Sequence, residues 1–254
     1  MNLKSIFNKL LKLYAPHLSI IETANLYAIW EEQQLKKLLS HFNVDCVFDI
    51  GANCGQYATM LREKADYTGT ILSFEPIPNA AQEIRKLSKN DPDWHVFEQA
   101  VSCTDGELTF NIMEKSQFSS LSKPRHDETK LFTDMNKVKE TVTVKSECLE
   151  NIYNRLSKDL KFKRPFLKMD TQGFDLDVLK SGQSILQNYI GLQSELSIKK
   201  IYEESVDFRD AISTYEKYGF SLSAFVPNNA GHFPELIEID CIMIRNELIP
   251  GFKA

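Results

Sequence analysis

Val47–Tyr57 has the sequence VFDIGANCGQY, and this stretch decides the fold class of the chain. An apolar run that ends in two closely spaced glycines is typical of a buried strand that turns into a helix. Because Gly51 and Gly55 lack a Cβ atom, the backbone can bend tightly there and approach a ligand closely. A second apolar run, Ile71–Phe74, leads into Glu75. Together the two runs predict neighbouring parallel strands with a nucleoside-type ligand across their carboxyl ends.

The length, net charge and cysteine count restrict the class of protein. The chain has 254 residues and a formal net charge of −5, from 30 basic and 35 acidic residues. This length suits one α/β domain with a helical extension, and the negative balance argues against a nucleic-acid partner. The 5 cysteines show no C-x-x-C spacing, which argues against a disulfide framework and favours a cytoplasmic location. Cys46 and Cys241 lie in apolar runs and are predicted to be buried.

Strand and helix patterns alternate over most of the chain. The predicted strands are 44–50, 69–75, 94–101, 165–170 and 190–196, and the predicted helices are 55–64, 79–88, 176–187 and 207–217. This order predicts a parallel sheet with right-handed crossovers. Two further strands, 220–226 and 236–245, are predicted to close the sheet as an antiparallel pair.

The middle of the chain has a different pattern. Residues 106–113 and 139–146 alternate apolar and polar side chains, as half-exposed strands do. The polar stretch 114–138 between them is longer than most connections, and such loops are usually lids, binding loops or disordered segments. An inserted hairpin with a lid is therefore predicted at about residues 106–146.

Residues 1–43 are predicted to form a helical extension, with a break at Pro16, ahead of a main domain at 44–254. Lys9 and Lys12 interrupt the first apolar stretch, which breaks a signal-peptide core, and no run is long enough to span a bilayer. The amphipathic spacing favours packing on the domain or on a second subunit over binding to a membrane surface. A homodimer formed through these helices is one predicted arrangement.

Two residues at the glycine turn indicate which class of ligand binds there. Asp49 precedes the turn, and Asn53 stands where a dinucleotide-binding loop has its middle glycine. An acid at this place would repel a pyrophosphate and would suit a cationic ligand. S-adenosylmethionine carries a sulfonium and an ammonium group and no phosphate, so these residues favour that cofactor. A plain structural turn and an NAD-dependent dehydrogenase are the alternatives.

The sequence resembles the FkbM family of class I S-adenosylmethionine-dependent methyltransferases. The matching segments, in the family's order, are FDIGANCGQY at 48–57, FEP at 74–76, FSSL at 118–121, LKMDTQGF at 167–174, Glu195, Gly219-Phe220 and IDCIM at 239–243. The resemblance implies a Rossmann-like, seven-stranded and mostly parallel sheet with helices on both faces. It also implies methyl transfer to a hydroxyl group of a carbohydrate or small-molecule acceptor, such as a sugar, a glycan or a natural product.

The resemblance further implies positions for the cofactor. The residues expected to contact it are Asp49, Gly51, Asn53 and Gly55 at the methionine end, Glu75 at the ribose hydroxyls, Gln99 and Ala100 at the adenine, and Ser119 and Asp170 nearby. A non-catalytic binding protein on the same fold is a further alternative, because fold alone does not establish activity.

Three residues are candidates for catalysis. Asp170 and Glu195 end predicted strands at the carboxyl edge of the sheet, where ligands of open α/β sheets bind. They are predicted to accept a proton, to orient a substrate hydroxyl or to share a Mg²⁺ ion. The alternative is that each caps a following helix. His232, between the last two strands, is a third candidate base, with a surface histidine as its alternative.

Overall fold

The computed structural model of the protein describes residues 26–227, 232 and 234–251. Helix α1 (Leu26–His41) lies within the segment predicted to be helical. It buries Leu35, Leu38 and Leu39, which share a core cluster with the central sheet. The break at Pro16, the amphipathic pattern before it and the proposed dimer contact fall on residues outside this description.

The elements that follow α1 alternate as predicted. The first group is β1 (Cys46–Ile50), α2 (Gln56–Glu63), β2 (Thr70–Phe74), α3 (Pro78–Leu87) and β3 (Trp94–Phe97). The middle group is β4 (Ala100–Val101), β5 (Gly106–Met113) and β6 (Val138–Glu147). The last group is α4 (Leu149–Leu160), β7 (Pro165–Met169), α5 (Asp175–Ser181), β8 (Gly191–Ser197), α6 (Phe208–Lys217), β9 (Phe220–Val226) and β10 (Glu238–Arg245).

Seven of these strands form one sheet in the order β3-β2-β1-β7-β8-β10-β9. Every pairing is parallel except those of β10, which runs antiparallel to β8 and β9. The predicted class I methyltransferase fold and its closing antiparallel pair are therefore confirmed. Ile50 is in register with Phe74 on one side and Met169 on the other, so the carboxyl ends of β1, β2 and β7 lie level at one edge.

Helices cover both faces of the sheet because side chains alternate along each strand. In β1, Phe48 and Ile50 join the core cluster that contains the buried residues of α4, α5 and α6. Val47 points the other way, into the cluster that contains those of α1, α2 and α3. Each fully buried side chain of this size contributes about 1.5–3 kcal/mol of hydrophobic stabilisation. Cys46 and Cys241 are fully buried, as predicted.

Three elements differ from the sequence prediction. The prediction omitted α4, whose apolar residues Leu149, Ile152 and Leu156 have the spacing of a buried helix face. The predicted strand 94–101 divides into β3 and β4, which belong to different sheets. The predicted helix 176–187 ends as an α-helix at Ser181 and continues after Gly182 as a 3-10 helix.

The predicted hairpin at 106–146 is confirmed, since β5 and β6 pair antiparallel in a three-stranded sheet of order β4-β6-β5. The loop between them packs through a set of apolar residues, here called the loop cluster, made of Met113, Phe118, Phe132, Ile201, Tyr202 and Ile237. Backbone hydrogen bonds from Arg125 N to Ile201 O (2.8 Å) and from Glu203 N to Lys123 O (2.9 Å) join it to residues 201–203. Movement of this loop as a lid stays a prediction.

Within the described part of the chain, none of the helices combines the length and apolar character needed to cross a membrane.

Candidate functional site

The glycine loop after β1 has left-handed backbone conformations at Gly51 (φ 74°), Asn53 (φ 47°) and Gly55 (φ 83°). The loop is held against β2, since Gly51 N and Ala52 N both donate to Phe74 O, at 3.0 and 3.1 Å. A Cβ atom at position 51 would lie 1.9 Å from Asp170 O. The need for glycine at position 51 therefore comes from close contact with the backbone that follows β7, in addition to the predicted approach of a ligand.

A buried ion pair lies beneath this loop. The Asp49 side chain is fully buried, and its Oδ1 lies 3.1 Å from Lys168 Nζ. Lys168 Nζ also donates to Gly51 O at 3.0 Å and lies 3.6 Å from Asp170 Oδ2. Burial alone would lower the pKa of Lys168, but the carboxylates of Asp49 and Asp170 outweigh it and raise that pKa. The expected contact between Asp49 and a cofactor stays a prediction, because its carboxylate here faces Lys168 and Ser73.

Glu75 follows β2 and is 5% exposed. Its Oε2 accepts a hydrogen bond from Asn53 N and its Oε1 accepts one from Ile77 N, both at 2.8 Å. Burial raises the pKa of Glu75 to about 7, against the lowering effect of these two hydrogen bonds. The carboxylate is thus held at the mouth of the glycine loop, where a ribose hydroxyl pair is predicted to bind.

Asp170 and Glu195 are brought together at the same edge of the sheet. The Nε2 atom of Gln172 donates to Asp170 Oδ1 at 2.8 Å and to Glu195 Oε2 at 3.0 Å. The Asp170 side chain is 42% exposed, so it faces solvent beside the glycine loop. Burial, followed by repulsion from Glu238 and Asp170, raises the pKa of Glu195 well above the usual carboxyl range. A half-buried carboxyl of raised pKa beside an accessible one is suited to accepting a proton.

The alternative that these two acids cap helices is wrong for both. Helix α5 follows Phe174 and has no side-chain cap, so Asp170 does not cap it. Asp175, the first residue of α5, accepts at its Oδ1 from Thr171 N at 2.8 Å and from Thr171 Oγ1 at 2.6 Å. Glu195 lies inside β8, and the next helix, α6, is capped by Asp207. Asp175 Oδ2 also accepts from Ser194 Oγ at 2.6 Å, so this buried carboxylate ties the β7 turn to β8.

Further carboxylates extend the acidic edge. Gln193 Nε2 donates to Glu31 Oε1 at 2.7 Å and to Asp240 Oδ2 at 2.8 Å, while Gln193 Oε1 accepts from Tyr57 OH at 3.0 Å. Burial is the largest cause that raises the pKa of Glu31 and of Asp240. The set Glu31, Asp170, Glu195 and Asp240 is called the acidic rim below.

The structure places other predicted residues elsewhere. Gln99 Nε2 donates to Glu147 Oε2 at 3.0 Å, and Ala100 is buried in β4. Ser119 Oγ accepts from Met113 N at 3.1 Å within the hairpin, whereas its neighbour Ser120 donates to Gln172 O at 2.7 Å. Ser120 therefore contacts the site directly, and the cofactor contacts of the other three stay predictions.

His232 packs edge-on against Phe132 of the loop cluster, with ring centroids 5.2 Å apart. Its Nδ1 is buried without a hydrogen-bond partner among the described residues, and burial lowers its pKa. Its role as a base stays a prediction. Across the described ranges, no group of three or more His, Cys, Asp or Glu side chains is placed to hold a metal ion.

The buried carboxyl groups at this edge of the sheet make the free energy of unfolding depend on pH. Burial raises the pKa of both Glu75 and Glu238 to about 7, from 4.5 for an ordinary glutamate. The folded protein then binds more protons than the unfolded chain between these values, so the free energy of unfolding falls as the pH rises through this window. Each group is expected to account for about 1–3 kcal/mol of that fall.

Urea denaturation from about pH 5 to about pH 8 measures this fall. Glu238→Gln should flatten the profile, whereas Glu216→Gln, at an exposed position of α6, should leave it unchanged. A profile in which Glu238→Gln and wild type decline equally would contradict the assignment to Glu238.

Sequence reasoning missed several residues that build the site: Gln172, Asp175, Tyr202, Gln193, Asp240 and Glu31. Gln172 and Asp175 stand beside the predicted Asp170, so proximity along the chain was an available signal. Gln193 and Tyr202 act through contacts with residues 30 or more positions away, which no local pattern indicates.

Comparison with known proteins gives a family match. The family model described as the Methyltransferase FkbM domain matches residues 49–222, which is more than half of the chain. The matched range includes the glycine loop, Glu75, Asp170 and Glu195. A search of the curated proteins finds no match.

Solved structures resemble the chain at low identity. Magnesium protoporphyrin IX methyltransferase (ChlM) from Synechocystis PCC 6803 with bound SAM is 8% identical, with 96% of this chain and 98% of that chain covered and a TM-score of 0.41. The N-methyltransferase NodS from Bradyrhizobium japonicum WM9 is 10% identical, with 87% and 97% covered and a TM-score of 0.45. Aeropyrum pernix fibrillarin with natively bound S-adenosyl-L-methionine is 9% identical, with 85% and 74% covered and a TM-score of 0.44. Similarity at this level adds no argument about the reaction.

Proposed function

Because the chain belongs to the FkbM methyltransferase family, we propose that it transfers a methyl group from S-adenosylmethionine to a hydroxyl oxygen of a sugar or another hydroxylated natural product. The observation that carries the proposal is the pair Asp170 and Glu195, joined by one amide at the sheet edge beside the glycine loop. A cytoplasmic location and a homodimer formed through the N-terminal helices are kept as predictions from the sequence.

The side chains around the glycine loop fit this cofactor. They include the carboxylates of Asp49, Glu75 and Asp170, and the Lys168 ammonium among them is already paired with Asp49. Such a set suits a cationic ligand without phosphate. Each Glu75 oxygen accepts one backbone N–H and retains capacity for a ribose hydroxyl. Gly51, Asn53 and Gly55 would hold the methionine end, with Gln99 and Ala100 at the adenine.

S-adenosylmethionine supplies an electrophilic methyl group on a sulfonium. The protein must then place the acceptor oxygen in line with the methyl–sulfur bond and receive the hydroxyl proton. Asp170 is accessible and follows the strand next to the glycine loop, so it is the first candidate to receive that proton. The raised pKa of Glu195 makes it a stronger base than an exposed glutamate, so it is the second.

The acidic rim favours a hydroxyl over an amine as acceptor. Surrounding carboxylates stabilise the ammonium form of an amine, and an ammonium nitrogen has no lone pair with which to attack the methyl group. A sugar instead presents several hydroxyl donors, which match the many acceptor oxygens of Glu31, Asp170, Glu195 and Asp240. This match supports a polyhydroxylated acceptor.

An acceptor screen tests the proposal. Wild-type protein is incubated with methyl-labelled S-adenosylmethionine and a panel of sugars, nucleotide sugars, glycan fragments and hydroxylated natural products. Amino sugars are paired with their N-acetylated forms, which keep the hydroxyls and remove the basic amine. Mass spectrometry is expected to locate the label as an O-methyl ether in a sugar, in both members of a pair. Label on the amine nitrogen would replace the proposal with N-methylation.

Glu75→Ala is expected to weaken binding of S-adenosylhomocysteine by about 1.5–3 kcal/mol, the usual range for hydrogen bonds to a charged group. The loss comes from the ribose contacts and from the backbone N–H groups of Asn53 in the loop and Ile77 after β2, both of which donate to Glu75. Isothermal titration calorimetry measures the affinity, and thermal unfolding confirms that the variant is folded.

The control for this change is Glu83→Ala, which removes a carboxylate whose side chain is 52% exposed on α3. It should bind S-adenosylhomocysteine like wild type. A folded Glu75→Ala protein with unchanged affinity would remove Glu75 from the cofactor site.

A further inference from the structure

One side-chain amide joins the two candidate catalytic carboxylates. Gln172 Nε2 donates to Asp170 Oδ1 at 2.8 Å and to Glu195 Oε2 at 3.0 Å. An amide nitrogen carries two protons, so each carboxylate receives one. Asp170 follows β7 and Glu195 lies near the end of β8, which means that the bridge links two neighbouring parallel strands at their carboxyl edge.

The backbone at Gln172 is in an unusual conformation for a residue with a side chain. Its φ of 53° lies in the left-handed region, where residues other than glycine are uncommon. Contacts on both sides hold it there: Ser120 Oγ donates to Gln172 O at 2.7 Å, and Asp175 Oδ1 accepts from Thr171 N at 2.8 Å. Strained conformations that the surrounding structure enforces are concentrated at functional sites.

A contact with the loop cluster orients the side-chain amide of Gln172. The Tyr202 hydroxyl donates to Gln172 Oε1 at 2.7 Å and lies 2.8 Å from Phe118 O. Tyr202 is 1% exposed and belongs to the loop cluster, as does Phe118. With Oε1 engaged by a hydroxyl donor, the Nε2 end is directed at the two acids, so the loop sets the orientation of the bridge.

We infer that Gln172 is a positioning residue, whose amide fixes the separation and orientation of Asp170 and Glu195 for the acceptor. The inference rests on the proposed function for the role of those two acids. The pair needs a hydrogen-bond donor because most charged groups that face it are acidic. These groups are Asp175 of α5, Glu238 and Asp240 of β10 and Glu31 of α1, with Lys168 of β7 as a cation beside Asp170.

The bridge has a consequence that a merely structural contact would not have. Hydrogen bonds donated to a carboxylate favour its charged form, so they lower its pKa. Gln172→Leu leaves an apolar side chain of comparable volume and removes both donors. Glu195 should then titrate at higher pH, by about one pH unit or more, because burial and repulsion from neighbouring carboxylates are no longer opposed by this hydrogen bond.

Carbon-13 NMR of protein labelled at the Glu carboxyl carbons measures this titration without an acceptor. The Glu195 signal is assigned from its loss in Glu195→Gln. An upward shift of its midpoint is expected in Gln172→Leu, with a smaller shift in Tyr202→Phe, which loosens the amide. Gln187→Leu is the control, since this exposed glutamine donates to Ser184 O nearby, and it should leave the Glu195 midpoint unchanged.

An unchanged Glu195 midpoint in a folded Gln172→Leu protein would overturn the inference and leave Gln172 as a turn-stabilising residue. If Gln172→Leu does not fold, Gln172→Asn decides. Its amide is one methylene shorter and cannot reach Glu195 on the neighbouring strand from the same backbone, so the Glu195 midpoint must rise. Calorimetry of the wild type with S-adenosylhomocysteine distinguishes failure of the proposed methyl transfer from failure of the role of Gln172. Absence of binding would reject methyl transfer, whereas the NMR result would be unaffected.

Discussion

Gly51→Val is expected to abolish binding of S-adenosylhomocysteine and to destabilise the fold. The φ of 74° at Gly51 disfavours any side chain, and a β-branched one most strongly. The added Cβ would lie 1.9 Å from Asp170 O, so the loop and the end of β7 cannot keep their present contact. Since Gly51 O accepts from Lys168 Nζ at 3.0 Å, the shift would also disturb the buried ion pair with Asp49. Calorimetry and thermal unfolding measure the two effects.

Gly251→Val provides a matched control for backbone strain. Gly251 has a similar φ of 78°, and among the described residues other than its chain neighbours no atom lies within 4 Å of the position that its Cβ would take. This variant should retain S-adenosylhomocysteine binding and lose only the stability that the backbone strain costs, about 1–2 kcal/mol. A Gly51→Val protein that binds and unfolds like the control would show that the loop does not depend on its contact with Asp170.

Asp170→Asn is expected to keep the fold and most of the cofactor affinity while turnover falls by about 10²–10⁴-fold, the usual contribution of a positioned proton acceptor. The fold should survive because the amide is nearly isosteric and Asp170 caps no helix. The loss should appear in kcat more than in KM if Asp170 acts in the transition state. Methyl-transfer kinetics with the acceptor from the screen measure it.

Asp210→Asn, at an exposed position in the first turn of α6, should turn over like wild type and serves as the control for Asp170→Asn. Near-normal turnover of Asp170→Asn would transfer the proton-accepting role to Glu195 or His232. A chelator provides a separate check. Activity that collapses on chelation and returns with Mg²⁺ would mean that Asp170 and Glu195 share a metal ion, and the proton-acceptor account would have to be replaced.

The strands of the sheet could be predicted because the hydrophobic patterns that mark them lie within short stretches of sequence. The strand at 220–226 and the first hairpin strand at 106–113 have the predicted bounds, since apolar runs or alternation end there at turn residues. Helix α4 was missed although its apolar spacing is regular. The split of strand 94–101 depends on pairing of Ala100 with Ser146, a contact between distant residues that no short window contains.

The charged residues of the site could be predicted from the sequence. A lysine inside an apolar strand must find an acid, and Lys168 pairs with Asp49 as that argument requires. Asp170 and Glu195 were identified because they end predicted strands at the carboxyl edge of the sheet, where ligands of open α/β sheets bind. Gln172 carries no charge and changes no hydrophobic pattern, so its bridging role becomes visible only when β7 and β8 lie side by side.

Whether the glycine loop binds S-adenosylmethionine is tested by calorimetric titration of the wild-type protein with S-adenosylhomocysteine and, in parallel, with NAD. Saturable binding of S-adenosylhomocysteine is expected, with no heat of binding for NAD, because Asp49 precedes the turn and Asn53 replaces the middle glycine of a dinucleotide-binding loop. Binding of NAD with no response to S-adenosylhomocysteine would contradict the assignment of the glycine loop, and with it the proposed methyl transfer.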